Sequence, residues 1–309
     1  MIYTVTLNPA IDKTIILEEL KKGEVNRILN SRVDVGGKGI NVSKVLCSLN
    51  TRSICTGILG KENSDFFLKY LTNLGIDTNF HIISGENRTN IKIVEKTNYI
   101  LTDINDRGFK MTMKDLDNFL SYFLFFVKEG DIVVISGSLP EGIDSDSYGY
   151  IIEKLKEKKA KVVLDADGEP LYYGMKSIPY AIKPNIDELK KVMEIDENDM
   201  DSILSGGKRL VDTGIKKVLI SLGSKGAIYI TEEGSFFSES FKVPVKSTVG
   251  AGDAMVAALA YAIKNQLNDI DTLKLATACA ASKVMTEGTK KPDSLLINKI
   301  VKDVGIRQL

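Results

Sequence analysis

Four runs in the middle of the chain are short, apolar and rich in β-branched residues: "DIVVIS" (131–136), "KVVLDA" (161–166), "YAIKP" (180–184) and "KVLISL" (217–222). Helical spacing of apolar positions falls between and around them, at 144–158, 185–194 and 198–213. A strand that is apolar along its whole length must be covered on both faces, and parallel strands need crossovers that helices supply. The pattern predicts an α/β fold, a doubly wound and mostly parallel sheet flanked by helices, with right-handed connections. The same rhythm opens the chain, with a strand at "IYTVTL" (2–7), a helix over 39–49 and a strand at "SICTGIL" (53–59). Further on, the pattern predicts a helix over 113–127, with Thr112 and Asp115 spaced as a capping box. A hairpin at 226–231 and 234–241 and helices at 251–265 and 270–286 complete it.

Some segments break the rhythm. The region 76–104 reads as several short strands without a helix, and short alternating pieces lie near 14–17 and 25–35. Of these pieces, the strands near 14–35 and 90–104 predict a small β-sheet projecting from the main body. A chain of 309 residues suits one domain, spanning 1–309.

Composition excludes several classes. Lys plus Arg and Asp plus Glu both number 41, so no global field favours nucleic acid or a membrane surface. Three cysteines without a CxxC pair and a single histidine argue against a Cys/His metal site and fit a reducing cytoplasm. "MIYTVTLNPAID" lacks the basic and cleavage regions of a signal peptide. The apolar run "FLSYFLFFV" (119–127) is too short to span a bilayer.

In an open α/β sheet, ligands bind beyond the carboxyl ends of the strands. Five polar loops fall there: Asn8 to Asp12, Gly137 to Pro140, Asp165 to Asp167, Lys183 to Glu188 and Gly223 to Gly226. Each alone reads as a turn; together they predict a site. Neither a P-loop nor a G-x-G-x-x-G motif is present, which disfavours a dinucleotide-binding protein but not phosphoryl transfer.

"STVGAGDAMVAALAYAI" (247–263) sets Gly250, Ala251 and Gly252 before Asp253 at a predicted helix start. One reading is a turn followed by a favourable N-terminal charge. The other is an anion cradle of converging N–H groups with a base beside it. In "KPNIDE" (183–188), Asn185 and Glu188 share one face of a helix start. They suit either a capping box or a Mg²⁺ site held partly through water.

Taken together, these motifs resemble the ribokinase-type (PfkB) carbohydrate kinases. "GGKGINVSKVL" (36–46) is similar to that family's N-terminal signature and "STVGAGDAMVAAL" (247–259) to its C-terminal one. "KPNIDE" resembles its N-x-x-E metal motif, and "SLGSKG" (221–226) its nucleotide loop. The resemblance spans essentially the whole chain. It implies Asp253 as catalytic base and Gly250, Ala251 and Gly252 as the anion hole. It also implies Asp12, Gly37, Lys38, Asn41 and Ser136 at the sugar, and Lys183, Ser221, Gly223, Ser224 and Gly226 along ATP, with Gly250 and Gly252. Asn185 and Glu188 would position Mg²⁺. The stray strands become a β-lid, formed by segments around 12–35 and 88–105, through which a homodimer is expected.

"TLNPAID", Lys38 inside the sugar loop, and "RTNIKI" (88–93) resemble the branch of the family that acts on hexose phosphates. Arg88 and Lys92, four apart on a predicted strand, point to one face. They suit either a solvated surface or the sugar phosphate, Arg88 as a bidentate donor and Lys92 as a point charge. The resemblance favours fructose 1-phosphate as acceptor, with tagatose 6-phosphate and fructose 6-phosphate as alternatives. "INDRGFKM" (104–111) departs from the branch by carrying Asp106-Arg107-Gly108, where Arg107 becomes a candidate phosphate contact. A non-catalytic sugar-phosphate or nucleotide sensor is the rival of another class; retention of Asp253 argues against it, since a binder needs no base.

Overall fold

The computed structural model describes residues 1–98 and 100–309; Tyr99, inside the predicted lid segment 88–105, lies outside the described residues. The chain opens with β1 (Ile2–Thr6), β2 (Ala10–Leu17), β3 (Asn30–Gly36), α1 (Lys38–Ser48), β4 (Ile54–Gly60), α2 (Ser64–Asn73), β5 (Asp77–Ile83), β6 (Arg88–Glu95) and β7 (Leu101–Ile104). It continues through α3 (Met113–Phe126), β8 (Ile132–Ser136), α4 (Ser147–Glu157), β9 (Lys161–Asp165), α5 (Gly168–Lys176), β10 (Ala181–Ile182), α6 (Ile186–Val192), α7 (Met200–Asp212) and β11 (Lys217–Ser221). The hairpin β12 (Ala227–Thr231) and β13 (Gly234–Ser238) follows, then α8 (Ala251–Asn265), α9 (Asp269–Val284), α10 (Ser294–Asp303) and β14 (Arg307–Gln308).

Among the described residues, ten strands form one sheet in the order β14-β13-β12-β11-β10-β9-β8-β1-β4-β5. From β5 to β11 every neighbouring pair is parallel; β12, β13 and β14 add an antiparallel edge. Alternate side chains enter two different cores, as strand geometry requires. Val133 and Ile135 of β8 join Leu116, Phe119 and Ile152 on one face, whereas Ile132 and Val134 join Val42, Val256 and Leu273 on the other. This double coverage is why these strands carry no polar face in the sequence. β1 lies between β4 and β8, so the strand order reverses there, and the loops leaving β1 and β8 open a crevice at their carboxyl ends.

A second sheet of four strands, in the order β3-β2-β6-β7, stands apart. In it β2 and β6 are parallel, with Ala10 opposite Arg88, Asp12 opposite Asn90 and Thr14 opposite Lys92. The pleat therefore carries Asp12, Arg88, Asn90 and Lys92 on one face.

Several expectations are corrected. β2 begins at Ala10, earlier than the piece near 14–17. Residues 25–29 form no strand: Val25 is 87% exposed, and Asn26 closes a turn by bonding the N–H and carbonyl of Lys21. β5, for which the sequence names no partner, pairs with β4 at the edge of the main sheet. Three helices without a sequence prediction are present: α2, α5 and α10. α5 contains Gly168, Pro170 and Gly174, which punctuate a sequence as a loop. Pro170 sits in its first turn, where no intrahelical N–H is needed. The Thr112–Asp115 capping box is formed as predicted.

Candidate active site

α8 starts at the crevice. Gly250, its N-cap, has φ 81°, a left-handed conformation that glycine adopts without a Cβ penalty. A Cβ on Gly252 would stand 3.4 Å from Lys183 Nζ, so a side chain there would crowd the space over the helix N-terminus. Asp253 follows in the first turn, buried, and its Oδ2 accepts a 2.8 Å hydrogen bond from Asn41 Nδ2 of α1. Burial, then the negative charge of Asp165, push the Asp253 carboxyl up to about 6.

The ends of β9 and β10 and the starts of α1 and α6 bring four charges together. Asp165 Oδ1 lies 3.2 Å from Lys183 Nζ and 3.5 Å from Lys38 Nζ. Glu188 lies 3.6 Å from Lys38 and 3.9 Å from Lys183. Burial opposes the charge on Asp165, yet Lys183 and Lys38 hold its carboxyl below the usual carboxylate range. Burial likewise opposes the charge on Lys38, which Asp165 and Glu188 hold well above an ordinary lysine. Both lysines line the same charged cavity.

The small sheet closes the other side. Asn90 donates to Asp12 Oδ1 at 3.1 Å, and Lys92 Nζ stands 4.0 Å from Asp12 Oδ2. Arg88 Nη2 donates to the Asn8 carbonyl at 3.1 Å, and burial lowers its pKa. These residues, with Gly37, Lys38, Asn41, Lys183, Asn185, Glu188, Gly250, Gly252 and Asp253, line a cavity of about 430 Å³. A neighbouring cavity of about 640 Å³ shares Lys38, Arg88 and Glu188 with it and adds Asn8, Ser138 and Asp167. Asn41 Oδ1, Asn90 Oδ1, Arg88 Nε, Asn8 Oδ1 and Asp165 Oδ2 are buried with no hydrogen-bond partner. Unpaired buried polar atoms are costly and rare in ordinary cores, so their concentration here marks a site shaped for a polar ligand.

A third cavity, about 600 Å³, lies beyond α8. Ser221, Gly223, Ser224 and Gly226 line one side, and Phe241, Val243, Val245, Met255 and Val284 give apolar walls. That chemistry suits a flat heteroaromatic ring with a polar edge. Ala251 borders this pocket, whereas Gly250, Gly252 and Asp253 border the charged cavity, so the first turn of α8 is the boundary between the two.

Among the described residues, no group of three His, Cys, Asp or Glu side chains gathers to hold a metal ion directly. Asn185 and Glu188 form a capping box, with reciprocal bonds of 2.7 and 2.8 Å. Glu188 also lines the charged cavity. One carboxylate and one amide fit a hard cation carried largely by water and phosphate oxygens, not a protein cage.

Most of the residues singled out from the sequence meet at the charged cavity and at the pocket beyond α8. Lys183, expected along the nucleotide, lies in the charged cavity. Ser136 does not reach a cavity wall: it is fully buried in β8 beside Asp165, its hydroxyl without a partner. The Arg107 side chain is 86% exposed, stands 4.0 Å from Glu141 and lines neither the cavity of about 430 Å³ nor that of about 640 Å³, whereas a Cβ on Gly108 would lie 3.1 Å from Arg88 Cβ and 3.2 Å from Asn8 Oδ1. Sequence reasoning gave no role to Asp165, Asn90, Asn8 or the apolar walls at Phe241 and Val243. Asp165 and Asn8 stood at strand ends, the signal that could have found them.

A family model for the pfkB family of carbohydrate kinases matches residues 5–295. The 1-phosphofructokinase of Escherichia coli is 36% identical over 283 residues, covering 92% of this chain and 90% of its own. The 1-phosphofructokinase of Haemophilus influenzae is 35% identical over 309 residues, covering 100% of this chain and 98% of its own. A Thermotoga maritima structure described as a possible 1-phosphofructokinase aligns with a TM-score of 0.86 at 28% identity, over 100% of this chain and 99% of that one. Phosphofructokinase-2 from Escherichia coli shares the fold, with a TM-score of 0.92 at 22% identity over 98% of both chains. With a family match over nearly its whole length and relatives at 35–36% identity, the chain belongs to the pfkB family of carbohydrate kinases and is an ATP-dependent sugar kinase.

Proposed function

We propose that the protein transfers the γ-phosphoryl group of ATP to the carbon-6 hydroxyl of fructose 1-phosphate, forming fructose 1,6-bisphosphate and ADP. The observation that carries this reading is the boundary at α8. A nucleotide-sized, partly apolar pocket lies on one side of its first turn, and a cationic cavity with a buried carboxylate lies on the other. A phosphoryl group passing between them crosses the Gly250–Gly252 turn.

The chain's own groups divide the work. Asp253, held by Asn41, accepts the hydroxyl proton as the O–P bond forms and the bond from phosphorus to the ADP oxygen breaks. At about 6 its pKa is high for a carboxyl, yet the group is still mostly ionised at neutral pH. The N–H groups of the Gly250–Gly252 turn, the helix dipole and Lys183 meet the negative charge of the moving group. Asp12 and Asn90 suit sugar hydroxyls. Arg88 and Lys92 suit the phosphate already on the sugar, and the unpartnered Arg88 Nε is free to donate to it. Asn185 and Glu188 would hold Mg²⁺ through water. Bound there, the ion neutralises nucleotide phosphate charge.

The small sheet serves as a lid over the sugar within a single-domain chain. It exposes Val33, Leu101 and Ile104 at 42%, 52% and 53%, which supports a second copy as the partner of that sheet. Size-exclusion chromatography with light scattering checks the dimer. Three free cysteines fit a cytoplasmic setting, and no helix among the described residues is long and apolar enough to cross a membrane. A coupled ADP-release assay with fructose 1-phosphate, tagatose 6-phosphate and fructose 6-phosphate tests the substrate. Highest kcat/KM on fructose 1-phosphate is expected. Preference for another sugar overturns the acceptor, and ADP from none of them places the acceptor outside these hexose phosphates.

A further inference from the structure

Lys283, at the end of α9, is 1% exposed and has no part in the chemistry above. Its Nζ donates to the Gly288 carbonyl at 2.5 Å. A Cβ on Gly250 would lie 3.0 Å from Lys283 Cε and 3.9 Å from its Nζ. The ammonium therefore stands against the turn that opens onto the charged cavity. Among the described residues it makes no ion pair, and a buried cation without one is costly unless something else uses its charge. The loop it grips is held a second time: buried Lys44 of α1 donates to the carbonyls of Thr289 and of Val35, on β3.

We propose that Lys283 is a positioning residue for phosphoryl transfer, an internal cation fixed by the Gly288 carbonyl behind Gly250 that strengthens the anion cradle as negative charge arrives. This rests on the kinase reading above. Burial brings Lys283 down to about 8; Asp253 of α8 and Asp34 of β3 favour its charge, and Arg32 of β3 and Lys92 of β6 oppose it. Lys44 faces it from α1 with like charge. The ammonium thus persists at neutral pH. Its field acts on the moving phosphoryl group and not on the resting sugar, so it should appear in kcat.

The test compares wild type, Lys283→Gln and Lys283→Met with ATP and fructose 1-phosphate, alongside melting curves. Gln keeps a donor for the Gly288 carbonyl but no charge; Met keeps volume alone. Both are expected to lower kcat about ten- to a hundredfold, with the KM for the sugar phosphate within about twofold. If Gln restores the wild-type kcat, the lysine only ties a loop and the proposal is overturned. If Met fails to fold, Gln carries the test. A wild type inactive on every hexose phosphate removes the hexose-phosphate reading, and this inference as tested with it; an active wild type matched by Lys283→Gln removes this inference alone.

Discussion

Asn41 of α1 donates a 2.8 Å hydrogen bond to Asp253 of α8, and both side chains are buried at the boundary between the two cavities. The bond fixes one carboxylate oxygen and the rotamer that carries the other. It joins residues separated by 212 positions, so the geometry of this carboxylate depends on how two helices pack on the same face of the sheet.

Burial of the Asp253 carboxylate lowers the stability of the fold. Its pKa is raised from 3.8 to about 6, so the folded chain binds this proton more tightly than the unfolded chain does. The group's stabilising contribution is present below the unfolded value and lost as pH rises through about 6. At pH 7, Asp253→Asn is therefore expected to gain on the order of 2–3 kcal/mol. Calorimetry should show a Tm several degrees above wild type at pH 7, with the gap closing near pH 4. A lower Tm at pH 7 would contradict a net cost of burying the charged Asp253.

Arg88 reaches the cavity from β6 with one guanidinium nitrogen on the Asn8 carbonyl and Nε unpartnered. Losing a charge-assisted phosphate contact costs about 2–3 kcal/mol. Arg88→Ala is expected to raise the KM for fructose 1-phosphate by about 30- to 150-fold and to leave the KM for ATP within about twofold. Equal effects on both substrates in steady-state kinetics would remove Arg88 from the sugar phosphate.

Gly252 lies in the first turn of α8, where alanine is favoured as a helix former by roughly 0.5–1 kcal/mol. The added Cβ would point at Lys183 Nζ from 3.4 Å, in the space that the proposed mechanism gives to the phosphoryl group. Gly252→Ala is expected to hold or raise Tm while cutting kcat about ten- to a hundredfold. Unchanged turnover would show that the cradle lies elsewhere.

The central strands were legible because double burial writes itself as unbroken apolar sequence, as in β8 and β9. α5 was not, because Gly168, Pro170 and Gly174 sit where first-turn position and close packing tolerate them; a Cβ on Gly174 would stand 2.5 Å from a Leu164 methyl. Residues 25–29 carry a strand-like pattern, but a single backbone bond from Leu29 to Ile16 does not extend β3 into them. Within the site, Asp253, Gly250 and Gly252 were readable from one contiguous stretch. Asp165 looked like a routine strand-end turn, because its partners Lys38 and Lys183 come from two other elements and only the fold assembles them. The Asn185–Glu188 spacing fitted both a cap and a metal site. The structure forms the cap, and the cavity position of Glu188 leaves room for the other role.

The most direct measurement is the turnover of Asp253→Asn with saturating ATP and fructose 1-phosphate. The substitution keeps size and the ability to accept from Asn41 but removes the base. Loss of kcat by about 10²- to 10⁴-fold is expected, with both KM values within about a fewfold of wild type. Turnover near the wild-type rate would contradict Asp253 as the proton acceptor, and with it the placement of the chemistry at the start of α8.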